Sequence, residues 1–174
     1  YLDGLDLGEE RYSSKSAMLD AFTDSAQKGD KDYVICPLSD PYLPNIGVNQ
    51  TYDFYNCFYP DANTNPNTKY TEQINDKYCI FTPFIRLYKL LEKVVKALGY
   101  ELTSNDLLLD DDFKDVILMC RRNGMYKDSL GCSISYNMHV PHLLVADFVT
   151  EIEHKFGVVF IVNENNHSVE IRGW

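Results

Sequence analysis

Two segments in the second half of the chain carry apolar residues at helical spacing. In the first segment these residues are Leu87, Leu90, Leu91, Val94, Val95 and Leu98. In the second segment they are Val145, Phe148, Val149, Ile152 and Phe156. Intervals of three and four residues place each set along one face of a helix. The pattern therefore predicts two amphipathic helices, each with one face buried in a core.

Proline and glycine residues mark the ends of both predicted helices. Pro83 and Pro141 are 58 residues apart, and Gly99 and Gly157 have the same separation. Proline is favoured at the first helical position, and glycine readily adopts the left-handed conformation that ends many helices. We predict that the helices begin at these prolines, with Thr82 capping the first helix, and that they end at these glycines.

Strands are predicted on both sides of each helix, where β-branched and aromatic residues are enriched. They are residues 78–82 and 100–103 around the first helix, and 134–139, 158–162 and 168–172 around the second, with a turn at 163–167. The chain therefore contains a duplicated strand–helix–strand unit, in which Tyr78 matches Tyr136 and Leu91 matches Val149. One unit alone buries little apolar surface, so we expect the two to share a core, side by side or through strands of the first half.

The first half of the chain is less regular. Residues 33–38 and 51–59 are predicted strands, and a polar segment at 60–76 connects them to the duplicated units. The second strand carries a predicted interaction surface of five aromatic residues, Tyr52, Phe54, Tyr55, Phe58 and Tyr59. The predicted fold class is α+β, with the duplicated units packed against these aromatic-rich strands. The predicted domain organisation is 1–76, 77–131 and 132–174.

The net charge of −10 is concentrated in the first 76 residues, which carry 13 acidic and 5 basic residues. An acidic surface repels the phosphates of nucleic acids and of anionic membranes, so we expect neither as a partner. No apolar run approaches the roughly 18–20 residues that cross a bilayer. We therefore expect no membrane insertion.

The cysteines and the first residue bear on where the protein folds. The five cysteines, Cys36, Cys57, Cys79, Cys120 and Cys132, are scattered without a Cys-x-x-Cys pair. An odd number without regular spacing argues against a disulfide framework, so we expect free thiols and folding in a reducing compartment. Because the sequence begins with Tyr1 and not with methionine, we expect a removed leader or a piece of a longer polypeptide.

Few residues are candidates for chemistry. His139 and His142 flank Val-Pro, with Cys132 upstream, so a zinc site is one hypothesis, although the sequence offers no second ligand pair at matching spacing. Glu151 and Glu153 are two residues apart on a helix, so their carboxylates diverge and form a poor acid–base pair. The sequence lacks a phosphate-binding glycine loop, a nucleophile elbow and a metalloprotease motif. We therefore predict no enzyme activity, no catalytic residues and no cofactor.

The order of these features resembles a family of structural proteins. The resemblance rests on residues 80–102, which contain the first helix, on the acidic segment 105–113, and on residues 139–160, which contain Leu-Val-Ala-Asp-Phe and Lys-Phe-Gly. These segments are similar to tail or baseplate-type proteins encoded by phages and prophages of gut Bacteroidetes, and the similarity covers most of residues 33–172. Such proteins are usually longer than this chain, which fits a fragment.

The resemblance implies a non-catalytic assembly function, in a tail hub or a neighbouring tail component. It implies other tail or baseplate proteins as partners, a homo-oligomer in the full-length context, and a location in the host cytoplasm and then in the virion tail. Closed rings of such subunits form when one patch meets a different patch on the next copy. We expect edge strands of the duplicated units to add to a neighbour's sheet, and the acidic first half to favour a basic partner surface.

Two other functions remain open. The strand–helix–strand units are also similar to periplasmic partner-binding modules at the N-termini of secretins and outer-membrane receptors, although the unpaired cysteines argue against that compartment. The second alternative is an enzyme of an unrecognised type, which a pocket with converging polar groups would indicate.

Substitutions in the predicted apolar faces test the duplicated core. Leu91→Asp and Val149→Asp are each expected to unfold the protein, because each places an unpaired charge in an apolar interior. Far-UV circular dichroism and urea titration measure the loss of structure. A Leu91→Asp variant with wild-type stability would contradict a buried face at this position.

Overall fold

Short strands, two α-helices and four 3-10 turns make up the part of the chain that the structure describes. A computed structural model describes residues 1–14, 17, 31–34, 38–39, 54–55, 73–74, 77–80, 82–119, 126–128 and 131–174. The strands are β1 (Glu9–Tyr12), β2 (Tyr33–Val34), β3 (Leu38–Ser39), β4 (Phe54–Tyr55), β5 (Gln73–Ile74), β6 (Lys77–Ile80), β7 (Phe84–Arg86), β8 (Glu101–Asn105), β9 (Ile117–Leu118), β10 (Tyr126–Asp128), β11 (Gly131–Ser135), β12 (Val158–Asn163) and β13 (Ser168–Gly173). The helices are α1 (Leu87–Ala97) and α2 (Val145–Phe156), and the 3-10 turns are Leu2–Gly4, Asp106–Leu109, Asp112–Asp115 and Tyr136–His139. These elements confirm the predicted α+β class.

The chain divides into two compact units, each assembled from separate stretches of sequence. Unit 1 consists of Tyr1–Glu10, Ile85–Cys120 and Ser135–Trp174, and unit 2 consists of Arg11–Phe84 and Arg121–Ile134. Both helices belong to unit 1. Each of the predicted segments 1–76, 77–131 and 132–174 contributes residues to both units, so the compact units follow different boundaries from those segments.

A three-stranded sheet in unit 1 has the strand order β12-β13-β8. β12 and β13 form an antiparallel hairpin, in which Val158 faces Gly173 and Asn163 faces Ser168. β8 lies parallel to β13, with Glu101 opposite Ser168. The strands that leave the two helices, β8 and β12, are therefore not neighbours. The additional strand of the second repeat, β13, lies between them and joins both repeats in one sheet.

Both helices begin four residues later than predicted. α1 begins at Leu87 and α2 at Val145, so the 58-residue separation between the repeats is preserved. The prediction that Pro83 and Pro141 are the first helical residues is wrong. Residues 84–86 form β7 instead, because Ile85 pairs with Leu118 of β9 and this pairing holds the backbone extended.

The caps of the two helices also differ from the prediction. Arg86 precedes α1 and Leu144 precedes α2, both in an extended conformation and without a side-chain hydrogen bond to the helix. The prediction of Thr82 as a helix cap is therefore wrong. Backbone pairing contributes at the start of α1, where the Leu87 N–H donates to the Val116 carbonyl at 2.9 Å. One of the amides that a helix start leaves unpaired is satisfied in this way.

Glycine follows both helices in the left-handed conformation, as predicted. Gly99 has φ +85° and Gly157 has φ +63°. The Gly157 N–H donates to the Glu153 carbonyl at 2.9 Å, and the Gly99 N–H donates to the Lys96 carbonyl at 3.0 Å. These bonds satisfy carbonyls of the last helical turns and direct the chain back into the exit strands.

The segments that lead into the two helices are not equivalent. The predicted strand 134–139 is a strand only as far as Ser135, where β11 ends, and it continues as the 3-10 turn Tyr136–His139. Tyr78, the residue that matches Tyr136 in the first repeat of the sequence, lies in β6. The Tyr136 N–H donates to the Gly8 carbonyl, so a contact with the N-terminal segment replaces regular strand pairing there. The repeat that the structure shows therefore consists of a helix, a glycine and an exit strand.

Asn137 attaches the N-terminal segment of unit 1 to this 3-10 turn. Its side-chain amide donates to the carbonyls of Asp3, at 3.0 Å, and of Leu5. Its side-chain oxygen accepts a hydrogen bond from the Leu7 N–H at 3.3 Å. A single side chain thus contacts three backbone groups beside the buried Leu7, whose N–H also donates to the Leu5 carbonyl at 3.0 Å.

The apolar face of α1 is buried more completely than that of α2. The buried apolar residues of the helices and the sheet of unit 1 are Leu87, Leu90, Leu91, Val94, Val95, Phe148, Ile152, Val158, Val169 and Ile171. Leu91 is 1% exposed, whereas its equivalent Val149 is only half-buried. Leu98, predicted as part of the buried face, is exposed because it follows the last residue of α1. A charge at Val149 should therefore be less destabilising than a charge at Leu91.

Unit 2 contains a four-stranded sheet with the order β3-β4-β6-β5 and a hairpin of β10 and β11. β4 pairs antiparallel with β3 and parallel with β6. Its two residues, Phe54 and Tyr55, therefore lie in the interior of the described sheet.

Replacing the left-handed glycines tests the helix ends. Gly99→Ala and Gly157→Ala should each lower the free energy of unfolding by about 1–2 kcal/mol, because a Cβ disfavours the left-handed conformation. Gly4→Ala is the control, since Gly4 has ordinary φ and a Cβ there meets nothing within 4 Å. Urea denaturation measures all three variants, and equal stability of Gly157→Ala and Gly4→Ala would contradict this role for Gly157.

Candidate interaction surface

β12 is an edge strand of the described sheet and carries exposed apolar side chains. Val159 is 39% exposed, Ile161 is 48% exposed and Val162 is 53% exposed. Phe160 points to the helix side of the sheet, where it lines an apolar cavity described below. Because alternate residues of a strand point to opposite faces, Val159 and Ile161 project from the face opposite the helices. An uncharged edge with apolar side chains is a surface to which another strand can add.

Hydrogen bonds show which backbone groups of β12 face away from β13. The Trp174 N–H donates to the Gly157 carbonyl at 3.1 Å and so extends the antiparallel ladder by one pair. In such a ladder, every second residue bonds to the partner strand. Val158, Phe160 and Val162 therefore turn their N–H and C=O groups towards the open edge.

Two side chains occupy part of this edge. The Glu153 carboxylate accepts a hydrogen bond from the Phe160 N–H, with 2.9 Å between Oε1 and N. The Trp174 indole Nε1–H donates to the Val158 carbonyl at 3.2 Å. Glu153 lies in the last turn of α2, and its side chain reaches the strand that follows Gly157. Among the described residues, hydrogen bonds from side chains thus take the place of a neighbouring strand at two positions of the edge.

A small apolar cavity lies between the two helices and the sheet. It has a volume of about 200 Å³ and is lined mainly by residues of the two repeats, Leu91, Val94, Val95, Phe148, Val149 and Val169. Leu98 and Val162, both well exposed, also line it, so the cavity reaches the surface near the end of β12. Its lining side chains carry no charge and are apolar except for the Tyr100 hydroxyl, so it suits an apolar group.

The structure gives the two histidines of the zinc hypothesis different surroundings. His139 is 1% exposed. His142 is exposed, stacks on the Tyr1 ring with 4.2 Å between centroids, and places Nδ1 2.9 Å from the Asp3 carboxylate. Among the described residues, no three His, Cys, Asp or Glu side chains are grouped as metal ligands. The side chain that the structure places beside His142 is thus Asp3, which the zinc hypothesis did not include.

The hydrogen bond from His142 holds the pKa of Asp3 below its usual value of 3.8, with a further coulombic contribution from the same ring. A carboxyl group whose pKa is lower in the folded state stabilises the protein above its unfolded pKa. That contribution is lost as the pH falls through the folded pKa.

The aromatic interaction surface predicted at residues 52–59 stays a prediction. Phe54 and Tyr55 form β4, whose backbone is paired with β3 and β6 in the described sheet. Tyr52, Phe58 and Tyr59 lie outside the described residues. Of the anchors predicted for the repeat, Gly99 and Gly157 end the helices, whereas Pro83 is buried ahead of β7 and Pro141 is exposed ahead of α2.

Glu153 is the residue of this surface that the sequence pattern did not identify. Its position on the polar side of α2 predicts a solvated carboxylate, and its contact with Phe160 depends on the turn at Gly157. The only signal in the sequence is a glutamate ahead of a glycine and an apolar strand, which is too common to be diagnostic.

Comparisons with protein families, with curated proteins and with solved structures found no match for this chain. Within the described part of the chain, every helix is too short or too polar to span a bilayer.

The Asp3–His142 contact can be tested by titration. In the wild type, the Asp3 carboxyl should titrate below 3.8 in a carbon-detected NMR experiment, and in His142→Phe it should return towards that value. Phenylalanine keeps a ring against Tyr1 and removes the nitrogen, so it separates stacking from hydrogen bonding. The stability difference between the two proteins should shrink as the pH falls through the folded pKa of Asp3. An unchanged Asp3 titration in His142→Phe would contradict this assignment.

Proposed function

We propose that the chain is a non-catalytic structural component of a protein assembly, of the phage tail or baseplate type that its sequence resembles. The observation that carries the proposal is β12, a described edge strand on which Val159, Ile161 and Val162 are exposed. A strand edge of this kind provides main-chain hydrogen bonds and side-chain contacts to another protein in the same surface.

The proposed partners are other tail or baseplate subunits and further copies of the parent protein. Tail subunits assemble in the host cytoplasm and then become part of the virion. We propose the same two locations for this chain. The net charge of −10 supports the choice of a basic partner surface, because complementary charge accelerates association and disfavours wrong contacts.

Light scattering after size-exclusion chromatography tests this function on the chain and on its full-length parent. We expect the parent to form a closed assembly of fixed stoichiometry over a range of protein and salt concentrations, since subunits with matching patches close into rings. Val162→Lys should weaken the assembly, because it places a charge on the exposed edge of β12.

Leu109→Lys is the matched control, since Leu109 is another exposed apolar residue of unit 1 and lies away from β12 in the turn Asp106–Leu109. It should leave the stoichiometry unchanged. Monomeric behaviour of both proteins at every concentration, together with no binding to purified tail subunits, would contradict the proposed function.

A further inference from the structure

The apolar residues of β12 form a near palindrome about Phe160. On either side of Phe160 the chain has a β-branched residue, Val159 or Ile161, and beyond these it has Val158 and Val162. If β12 pairs antiparallel with itself about Phe160, Val159 of one copy lies opposite Ile161 of the other. Opposed residues of antiparallel strands point to the same face and contact each other. Such pairing therefore brings into contact the apolar residues that β12 exposes on the open face of the sheet.

The backbone of β12 has the matching arrangement. Phe160 turns its N–H towards the edge, as its bond to Glu153 shows, and Val158 turns its carbonyl the same way, as its bond to Trp174 shows. In the register centred on Phe160, the outward groups of Phe160 meet those of the second Phe160, and the groups of Val158 meet those of Val162. Every backbone group that β12 directs to the edge then finds a partner on the second copy.

We propose that β12 pairs antiparallel with β12 of a second copy of this chain, in a register centred on Phe160, and that Glu153 restrains this pairing by occupying the Phe160 N–H. The inference rests on the proposed assembly function and adds the partner, the register and a restraint. The same amide cannot donate a full hydrogen bond to Glu153 and to the second strand. Pairing therefore requires the Glu153 side chain, and the Trp174 indole at Val158, to move away from the edge.

Charge favours this edge as the contact between copies. The chain carries a net charge of −10, so most surfaces of two copies repel each other. Charged side chains, above all lysine, and proline usually prevent edge strands from pairing. Residues 158–163 contain none of these. Within unit 1, the sheet edge at β12 is protected by the hydrogen bonds of Glu153 and Trp174 and not by its own sequence. Salt screens the general repulsion, so self-association should strengthen as the ionic strength rises.

Sedimentation equilibrium on the intact chain tests the proposal with matched variants. Glu153→Ala should lower the dissociation constant of the dimer by about a hundredfold, since it removes a competing hydrogen bond to a charged acceptor from each of the two copies. Glu151→Ala removes the same charge from an exposed position of α2 and should leave the dissociation constant near that of the wild type. Glu153→Gln keeps an acceptor oxygen and should lie between these two variants.

A second substitution identifies the surface through which the copies associate. Ile161→Lys in the Glu153→Ala background should abolish the gain, because two lysines would then lie within the paired strands. Circular dichroism and thermal unfolding establish that each variant is folded. Association of Glu153→Ala that survives Ile161→Lys would overturn pairing through β12 and leave the assembly function standing. Equal dissociation constants for Glu153→Ala and Glu151→Ala would overturn the restraint by Glu153.

Hydrogen exchange of the wild-type chain provides a test that needs no substitution. As the protein concentration rises, the Val162 amide should become protected, because it faces the open edge in the monomer and a carbonyl of the second strand in the dimer. Concentration-dependent protection confined to residues outside β12 would overturn the proposed register. A chain that neither self-associates in any variant nor binds tail subunits would overturn both this inference and the assembly function.

Discussion

Burial of the two helical apolar faces against one small sheet is the interaction on which unit 1 depends. The face of α1, from Leu87 to Val95, and the residues Phe148 and Ile152 of α2 lie with Val169 and Ile171 of β13 in the same core. Neither helix has a side-chain hydrogen bond at its N-cap, so side-chain capping does not define where either helix begins. Isolated helices of this length are marginal in water, and tertiary burial provides most of their stability.

The position of β13 has consequences for the surface. Because β13 pairs with β12 on one side and with β8 on the other, the exit strand of the second repeat becomes the outer strand of the sheet. The hairpin that completes the core thereby creates an apolar edge. Glu153 and Trp174 cover part of it with side-chain hydrogen bonds. The strand pairing that completes the core thus also leaves β12 at the edge where we propose assembly.

The sequence predicted the parts of the fold that depend on local periodicity. The spacing of Leu90, Leu91 and Val94 predicted α1, and the requirement for a left-handed residue predicted helix ends at Gly99 and Gly157. Both helix starts were predicted wrongly. At α1, the pairing of Ile85 with Leu118, which are distant in sequence, keeps the segment after Pro83 extended. The hydrogen bond between Glu153 and Phe160 could not be predicted either, since it depends on the geometry of the turn between helix and strand. Pairing that depends on three-dimensional geometry, and not local propensity, separates the predicted from the unpredicted features.

Native-state hydrogen exchange of unit 1 tests the central claim, that α1, α2 and the sheet β12-β13-β8 share one core. Amide exchange as a function of denaturant gives the free energy at which each element opens. A shared core predicts that the interior amides of both helices, of β13 and of β8 converge on one opening free energy with one denaturant dependence. If α1 and β8 instead open at a free energy well separated from that of α2, β12 and β13, the two repeats are independent and the account of a shared core is wrong.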